Sequence, residues 1–510
     1  MSFASRFTLL AIATLVACQS PASAPLDAQP DTPPGDAASI RKPNVVFVVV
    51  DDLDTGVYDQ MPRLKTLLDD AGARFDNHYL NIALCCPSRA AILRGQYAHN
   101  TKIFGNGPPH GGFEAFFTNG SEAETLPVWL AAAGYRTTLI GKYMNGYPTR
   151  EQPLYIPPGW TEWRSPVDGG PYGEYDYTLN ENGVSVPYGN TDQDYLVDVI
   201  AAKSADFIQR AATERTPFFM YITPYAPHSP ATPATRYQDA FPGAKAPRTA
   251  SFNEDAFGDK PAWLRDNPKL DAMQIDQMDR LYRKRLQSML AVEDLVQQLI
   301  DTLTATGELE HTYIVFTSDN GFHQGQHRMI SGKQTAFEED INVPLIVRGP
   351  GIAAGSRIAQ ASANVDFAPT FLDLAGTPIP AGVDGRSLRA LLAGTPPATW
   401  RQAILLEHGE GVDPETERFR SPPGTLEPAD SPLAGESPPP FEGIRTTRYT
   451  YVEYPSGERE LYDNETDPAQ LENIAADASN QLLGQLSSAL RGLHDCSGEA
   501  CRVAEQVTVP

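Results

Sequence analysis

The chain of 510 residues is short of basic side chains. Lys and Arg total 40 against 64 Asp and Glu, a formal net charge of −24. A nucleic-acid binder needs a basic face, so that class is excluded, as is broad adhesion to anionic polymers or lipid surfaces. A small, locally positive anion pocket remains compatible with this balance. Cysteine is scarce too: Cys18, Cys85, Cys86, Cys496 and Cys501 are too few for a disulfide scaffold. Beyond the first 17 residues, long hydrophobic runs are missing. The strongest, Val45 to Val50, has six residues and is too short to cross a bilayer. There are no internal repeats. What is present is ordinary globular composition, 41% hydrophobic and 20% charged, which rules out a wholly disordered or fibrous chain.

Residues 1–17 read as a targeting segment. Arg6 supplies its positive end, Phe7 to Val16 a short apolar core, and small residues follow. Leu15-Val16-Ala17-Cys18 resembles the bacterial lipobox, in which the cysteine is acylated and becomes the mature N-terminus. An ordinary signal peptide cut after Ala24 is the alternative. The lipobox reading implies an exported bacterial cell-envelope lipoprotein, in the periplasm or at the outer membrane or cell surface. It would meet membrane only through the lipid on Cys18. Residues 18–42, rich in Pro, Ala, Asp and Ser, then form a flexible tether.

From residue 43 apolar strands alternate with helices. Strands are predicted at 44–50, 136–141, 217–223, 312–317 and 343–347. Helices are predicted at 61–75, 124–134, near 191–213 and near 279–306. This pattern implies an α/β fold, a mainly parallel sheet sandwiched by helices. The catalytic domain is placed at 43–395 and a smaller α+β domain at 396–510. Within the latter, 409–442 reads as a long loop, 443–463 as a hairpin pair and 480–494 as a helix.

Ligands of an open parallel sheet bind at the carboxyl ends of its strands. Four strands here end in polar residues: Asp51-Asp52, Gly141-Lys142, Pro227-His228 and Asp319-Asn320. These side chains are expected to converge at one rim. Asp51, Asp52, Asp319 and Asn320 offer hard oxygen ligands, suited to Ca²⁺ or Mg²⁺. Taken singly, each pair could be a helix cap or a turn. Cys85-Cys86-Pro87-Ser88-Arg89 adds Pro87 in the first turn of a helix, unpaired amides before it and the donor fork of Arg89, together an anion site. A buried thiol pair or vicinal disulfide is the other reading of the two cysteines. Cys496 and Cys501 close a small loop and are expected to be disulfide-bonded in an exported protein.

Cys85-x-Pro-Ser-Arg89, followed by Leu93 and Gly95, resembles the signature of the type I sulfatase family. Asp51-Asp52, Gly141-Lys142, Pro227-His228, Ser318-Asp319-Asn320-Gly321 and Lys333 before Glu338 match the other elements of that family in order. The likeness looks closest to the N-acetylglucosamine-6-sulfatase branch, through Lys142-Tyr143-Met144-Asn145, Ala226-Pro227-His228-Ser229-Pro230 and Asp467-Pro468-Ala469-Gln470-Leu471. Arg94 stands where the family commonly has threonine, and Asn145 where many sulfatases have a second histidine.

The resemblance implies an alkaline-phosphatase-like fold and a Cys85 oxidised to formylglycine by a formylglycine-generating enzyme. It also implies a metal, Ca²⁺ rather than Mg²⁺, held by Asp51, Asp52, Asp319, Asn320 and the modified Cys85. In that scheme a hydroxyl of the hydrated aldehyde attacks sulfur and a covalent sulfo-enzyme forms. Arg89 and Lys142 hold the diol and the sulfate charge, while His228 and Lys333 bind sulfate and protonate the leaving alcohol. Asn145 and His323 are candidates for substrate binding; a structural histidine is the alternative for both His323 and His327. The substrate implied is a sulfated sugar or oligosaccharide, 6-O-sulfated N-acetylglucosamine taken from a chain end. A phosphoester or phosphonate hydrolase on the same scaffold, and a non-catalytic lipoprotein that binds sulfated glycans, are the competing functions.

Overall fold

The computed structural model describes residues 41–409, 438–506 and 508. The leader, Cys18, most of the tether and nearly all of the 409–442 loop lie outside the described residues.

The sheet is built around Asn44–Val50, whose seven residues are all buried. Side chains alternate across a strand, so a run that is apolar at every position must be covered on both faces. Val46, Val48 and Val50 pack with Met289, Val292 and Leu295 of the long Ala272–Ala305 helix. Val45, Phe47 and Val49 face the opposite core, with Phe367 and Phe371 of the Phe367–Leu374 helix. The central strand pairs in parallel with Phe218–Thr223 on one side and Thr312–Ser318 on the other. Arg136–Gly141 and Glu162–Gly169 extend the parallel set beyond Phe218–Thr223.

Both flanks of this ten-stranded sheet join the parallel centre through antiparallel pairs, although the outermost Ser356–Ile358 runs parallel to Ala73–Phe75. Leu345–Arg348 lies beside Thr312–Ser318 but runs against it. The chain between the two strands carries only the four-residue Glu338–Ile341 helix, not the crossover that a parallel return needs. The predicted 61–75 helix is cut short. Pro62–Leu64 and Lys65–Asp69 are helical, and Ala73–Phe75 is a strand on Leu345–Arg348. Gly72 makes this turn possible: a Cβ there would sit 2.4 Å from the carbonyl of Val347. At the other edge, Glu162–Gly169, Tyr177–Glu181 and Val184–Tyr188 form a meander that period-2 reading misses. Pro166 and Asp168 break its pattern at a bulge.

A second sheet, of four antiparallel strands, comprises Ala403–His408, Phe441–Thr446, Tyr449–Glu453 and Arg459–Asp463. The Asn480–His494 helix, capped by Ser479, packs on it. Their core is continuous with Ala91 and Tyr97 of the segment that follows Cys85. Cys496 and Cys501 are joined as a disulfide. Glu505 ends this layer fully buried. It takes hydrogen bonds from the Tyr97 hydroxyl, Arg386 and Arg401, and Arg401 also pairs with Asp366. Removing one partner from a buried ion cluster strands the others. Glu505→Ala is therefore expected to cost about 3 kcal/mol, read as a lower denaturation midpoint in urea.

Candidate active site

The register of the two central strands builds the site. Val50 stands opposite Ser318, so Asp51-Asp52 and Asp319-Asn320 leave the sheet side by side. The Asp319 amide donates to the Val50 carbonyl, and the Asp52 amide donates to Asp319 Oδ1 at 3.3 Å. Asp52 adopts φ of +67°, a region that Asp tolerates better than most residues. Gly141, at φ of +119°, closes Arg136–Gly141, the strand on the far side of Phe218–Thr223. A Cβ there would meet the Thr223 carbonyl at 2.1 Å, and the tight passage lets the Lys142 amide donate to that same oxygen. Cys85 opens the Cys85–Arg94 helix, with its first nine residues buried.

Three cations meet three carboxylates here, all buried. Lys142 Nζ donates to Asp51 Oδ2 at 2.6 Å. Arg89 Nε donates to Asp319 Oδ2 at 2.8 Å, and its Nη1 to the Lys142 carbonyl at 2.9 Å. Lys333 Nζ lies 2.7 Å from Asp52 Oδ1 and 2.9 Å from Cys85 Sγ. His228 Nε2 is 3.6 Å from Asp52 Oδ2, and its Nδ1 bonds the Ser229 carbonyl at 2.7 Å. A carbonyl only accepts, so Nδ1 carries a proton and Nε2 is the nitrogen presented to the site. Burial works to raise the Asp51 pKa, but Lys142, His228, Arg89 and Lys333 outweigh it and hold Asp51 below the usual carboxylate range. Burial, reinforced by Asp51, pushes the Cys85 thiol well up, despite Lys142 and Lys333.

The donors suit a hard divalent cation. Ligating atoms of Asp51, Asp52, Cys85 and His228 lie within 4.8 Å of one another. Asn320 Oδ1 is buried without a hydrogen-bond partner, while its Nδ2 donates to Asp52. A buried, orphaned amide oxygen beside two carboxylates is what an oxygen-seeking ion would satisfy. The other such cluster among the described residues, His99 with Cys496 and Cys501, has both sulfurs in the disulfide.

The remaining candidates are placed differently. His323 Nδ1 bonds both oxygens of buried Asp340, at 2.9 and 3.0 Å. Asp340 also takes the Thr335 amide and hydroxyl, and His323 pairs through its backbone with Gly332. This arrangement braces the loop that carries Lys333. His327 bonds Glu254 and stacks on Phe337 at 3.9 Å, a structural role. Asn145 is buried; its carbonyl accepts the Phe113 amide and its Oδ1 has no hydrogen-bond partner.

Two features escaped sequence reading. Arg285, on the buried face of the long helix, donates to the Asp52 carbonyl, to Gln324 at 2.7 Å and pairs with Asp54. Its signal was an arginine at a core position of an amphipathic helix. Tyr172 and Tyr225 flank Lys142; Tyr225 directly precedes the Ala226-Pro227-His228 stretch, while nothing in the local sequence marks Tyr172. Arg89→Lys removes the planar fork that bonds Asp319 and the Lys142 carbonyl together. It is expected to lower turnover of an aryl sulfate about a hundredfold, with the far-ultraviolet circular dichroism unchanged.

The sulfatase family model matches residues 43–377. N-acetylglucosamine-6-sulfatase of Homo sapiens is 38% identical over 488 residues, covering 92% of this chain and 87% of the relative. Arylsulfatase of Volvox carteri is 32% identical, covering 91% and 76%. The structure of BT4656 in complex with its substrate D-glucosamine-2-N,6-O-disulfate aligns with a TM-score of 0.72 at 25% identity, covering 91% of this chain and 99% of that one. The phosphonate monoester hydrolase of Silicibacter pomeroyi, at 22% identity and a TM-score of 0.64, shares the fold. With a family match over residues 43–377 and relatives above 30% identity that the chain covers over more than three quarters of their length, the chain belongs to the sulfatase family.

Proposed function

We propose that this chain removes the 6-O-sulfate of N-acetylglucosamine from the ends of sulfated glycans, with formylglycine at Cys85 and a bound Ca²⁺. The family makes it a sulfuric ester hydrolase. The finer reading is carried by one observation: Cys85 lies under Lys333 at the first turn of its helix, beside two carboxylates and an orphaned amide oxygen. The sugar follows from likeness to the human N-acetylglucosamine-6-sulfatase and to the glucosamine-disulfate complex.

Asp51, Asp52, Asp319, Asn320 and the modified Cys85 would hold the ion, which supplies positive charge and Lewis acidity to the sulfate. Formylglycine, hydrated, supplies a nucleophilic hydroxyl at the Cys85 position. Arg89 has Nε and Nη1 committed to Asp319 and the Lys142 carbonyl; buried Nη2 has no hydrogen-bond partner, lies 3.7 Å from Asp51 Oδ2, and can turn a hydrogen bond to an anion. Lys333 Nζ reaches any group carried on the Cys85 Cβ, and so meets a sulfate held there. His228, once protonated at Nε2, donates that proton to the leaving alcohol. Three cations balance three carboxylates among these side chains, so a divalent ion leaves a net charge that favours an anionic ester.

Exo action has its own support. His228 and Lys333 are only 4% and 5% exposed, and the sequence has no long Lys/Arg run of the kind that would track a sulfated polymer. A closed pocket takes a terminal sugar more readily than an internal one. We extend the proposal to export, with lipidation at Cys18 and maturation by a formylglycine-generating enzyme. The Cys496–Cys501 disulfide suits an oxidising compartment, and among the described residues no helix is long and apolar enough to cross a membrane.

Peptide mass spectrometry of active protein is expected to find an aldehyde at Cys85 and an intact thiol at Cys86. Calcium titration calorimetry is expected to give saturable binding, lost in Asp52→Ala together with turnover; activity that survives chelation removes the metal assignment. On a long sulfated chain and on free N-acetylglucosamine 6-sulfate, sulfate should leave terminal units and the monosaccharide. Release from internal units alone would overturn the exo reading, and preference for a matched aryl phosphate would move the chain to phosphoester chemistry.

A further inference from the structure

Lys142 and His228 come from different strands, and one aromatic side chain touches both. Tyr172 lies in the Pro171–Gly173 turn of the edge meander, far from either in sequence. Its ring centroid is 4.6 Å from that of His228, at an interplanar angle of 53°. Lys142 Nζ sits 5.0 Å from the same centroid. Tyr225 completes the surround, 4.7 Å from Tyr172 in an edge-to-face contact and 5.8 Å from Lys142 Nζ. Both tyrosines are 7% exposed.

The turn that carries Tyr172 is bolted down. The Gly170 amide donates to the Asp176 carbonyl. Next along the chain, buried Glu174 accepts the Leu196 amide on its carbonyl and the Val197 amide on its carboxylate, both at the start of the Leu196–Glu214 helix. Helix and sheet therefore fix the backbone of the turn that carries the ring independently of the two residues the ring touches. A rigid aromatic face is attractive to a cation within about 6 Å, most of all where water is excluded. The ammonium of Lys142 and the imidazolium form of His228 are both such cations.

We infer that Tyr172 is a positioning residue for sulfate-ester cleavage: its π face holds Lys142 against Asp51 and sets the direction in which His228 Nε2 points. This rests on the sulfatase reading above. Tyr172 does not itself exchange a proton; it acts through the orientation of the acid. Misdirecting His228 harms esters whose alcohol cannot leave without a proton, and spares those whose phenolate leaves unaided. A residue needed only for folding would harm both alike.

The experiment compares N-acetylglucosamine 6-sulfate with 4-nitrophenyl sulfate, using the matured full-length enzyme. Wild-type turnover of the aryl ester tests the sulfatase reading alone, and the ratio of each variant to wild type tests Tyr172. Tyr172→Leu is expected to lower kcat on the sugar ester about thirtyfold and on the aryl ester about threefold, with KM for the aryl ester changed less than about threefold. Tyr172→Phe keeps the ring and is expected to stay within about twofold of wild type on both. Equal losses on the two esters, or a Phe variant as impaired as the Leu variant, overturn the inference. If Tyr172→Leu does not fold, fluorinated phenylalanines at 172 keep the shape while draining the negative face of the ring. The expected result is a stepwise fall in kcat on the sugar ester, and a flat series overturns the proposal.

Discussion

Everything at the site depends on the parallel pairing of Asn44–Val50 with Thr312–Ser318. Side chains at a strand end have fixed directions, and this register leaves no slack: Val50 is opposite Ser318. A slip of one residue would turn Asp51 and Asp319 toward the wrong face. The pairing is held by burial rather than by the site itself. The central strand is covered on both faces, so any shift would push a valine face out of its core.

That rigidity carries an electrostatic burden. Asp51, Asp52 and Asp319 are removed from water, and isolated buried carboxylates would simply protonate. Against its burial, Lys142, His228, Arg89 and Lys333 hold Asp51 below the usual carboxylate range, while burial and the nearby Asp51 raise Asp319 despite Arg89 and Lys142. Each cation is anchored on a different element: Arg89 on the helix of Cys85, Lys142 past a strand end, Lys333 on a loop braced by Asp340 and His323. The ring of Tyr172 adds a neutral support where another carboxylate would have cancelled charge that the substrate needs.

Much of this was legible in sequence, for a physical reason. A strand buried on both faces can announce itself as an unbroken apolar run, as Val45–Val50 does, and the polar residues that follow four of the predicted strands mark the rim. Asp51-Asp52, Lys142, His228 and Asp319-Asn320 were found in this way. The antiparallel flanks were not legible. Strand direction at Leu345–Arg348 depends on whether the preceding chain crosses over the sheet, and the meander at 162–188 is punctuated by Pro166 and Asp168. The short strand at Ala73–Phe75 was hidden inside a helical pattern and is set by the close passage of Gly72 against Val347. Arg285 and Tyr172 were missed because their roles come from packing between distant elements. No local motif accompanies such residues. His323 and His327 look alike in sequence, four residues apart, yet one braces the Lys333 loop and the other is walled in against Phe337.

The buried cluster at Glu505 bears on timing. Tyr97, Arg386 and Arg401 wait for a carboxylate that is synthesised after all three of them. Cys85 leaves the ribosome roughly 420 residues earlier, on the order of 20–80 s at ordinary translation speed. Through that interval the C-terminal layer that packs against Ala91 and Tyr97 cannot complete its polar seal. In the finished protein Cys85 is wholly enclosed, so any enzyme that acts on it must do so while the chain is still open. The distance of Glu505 along the chain makes closure a late event relative to Cys85 and gives the thiol a long exposure before it.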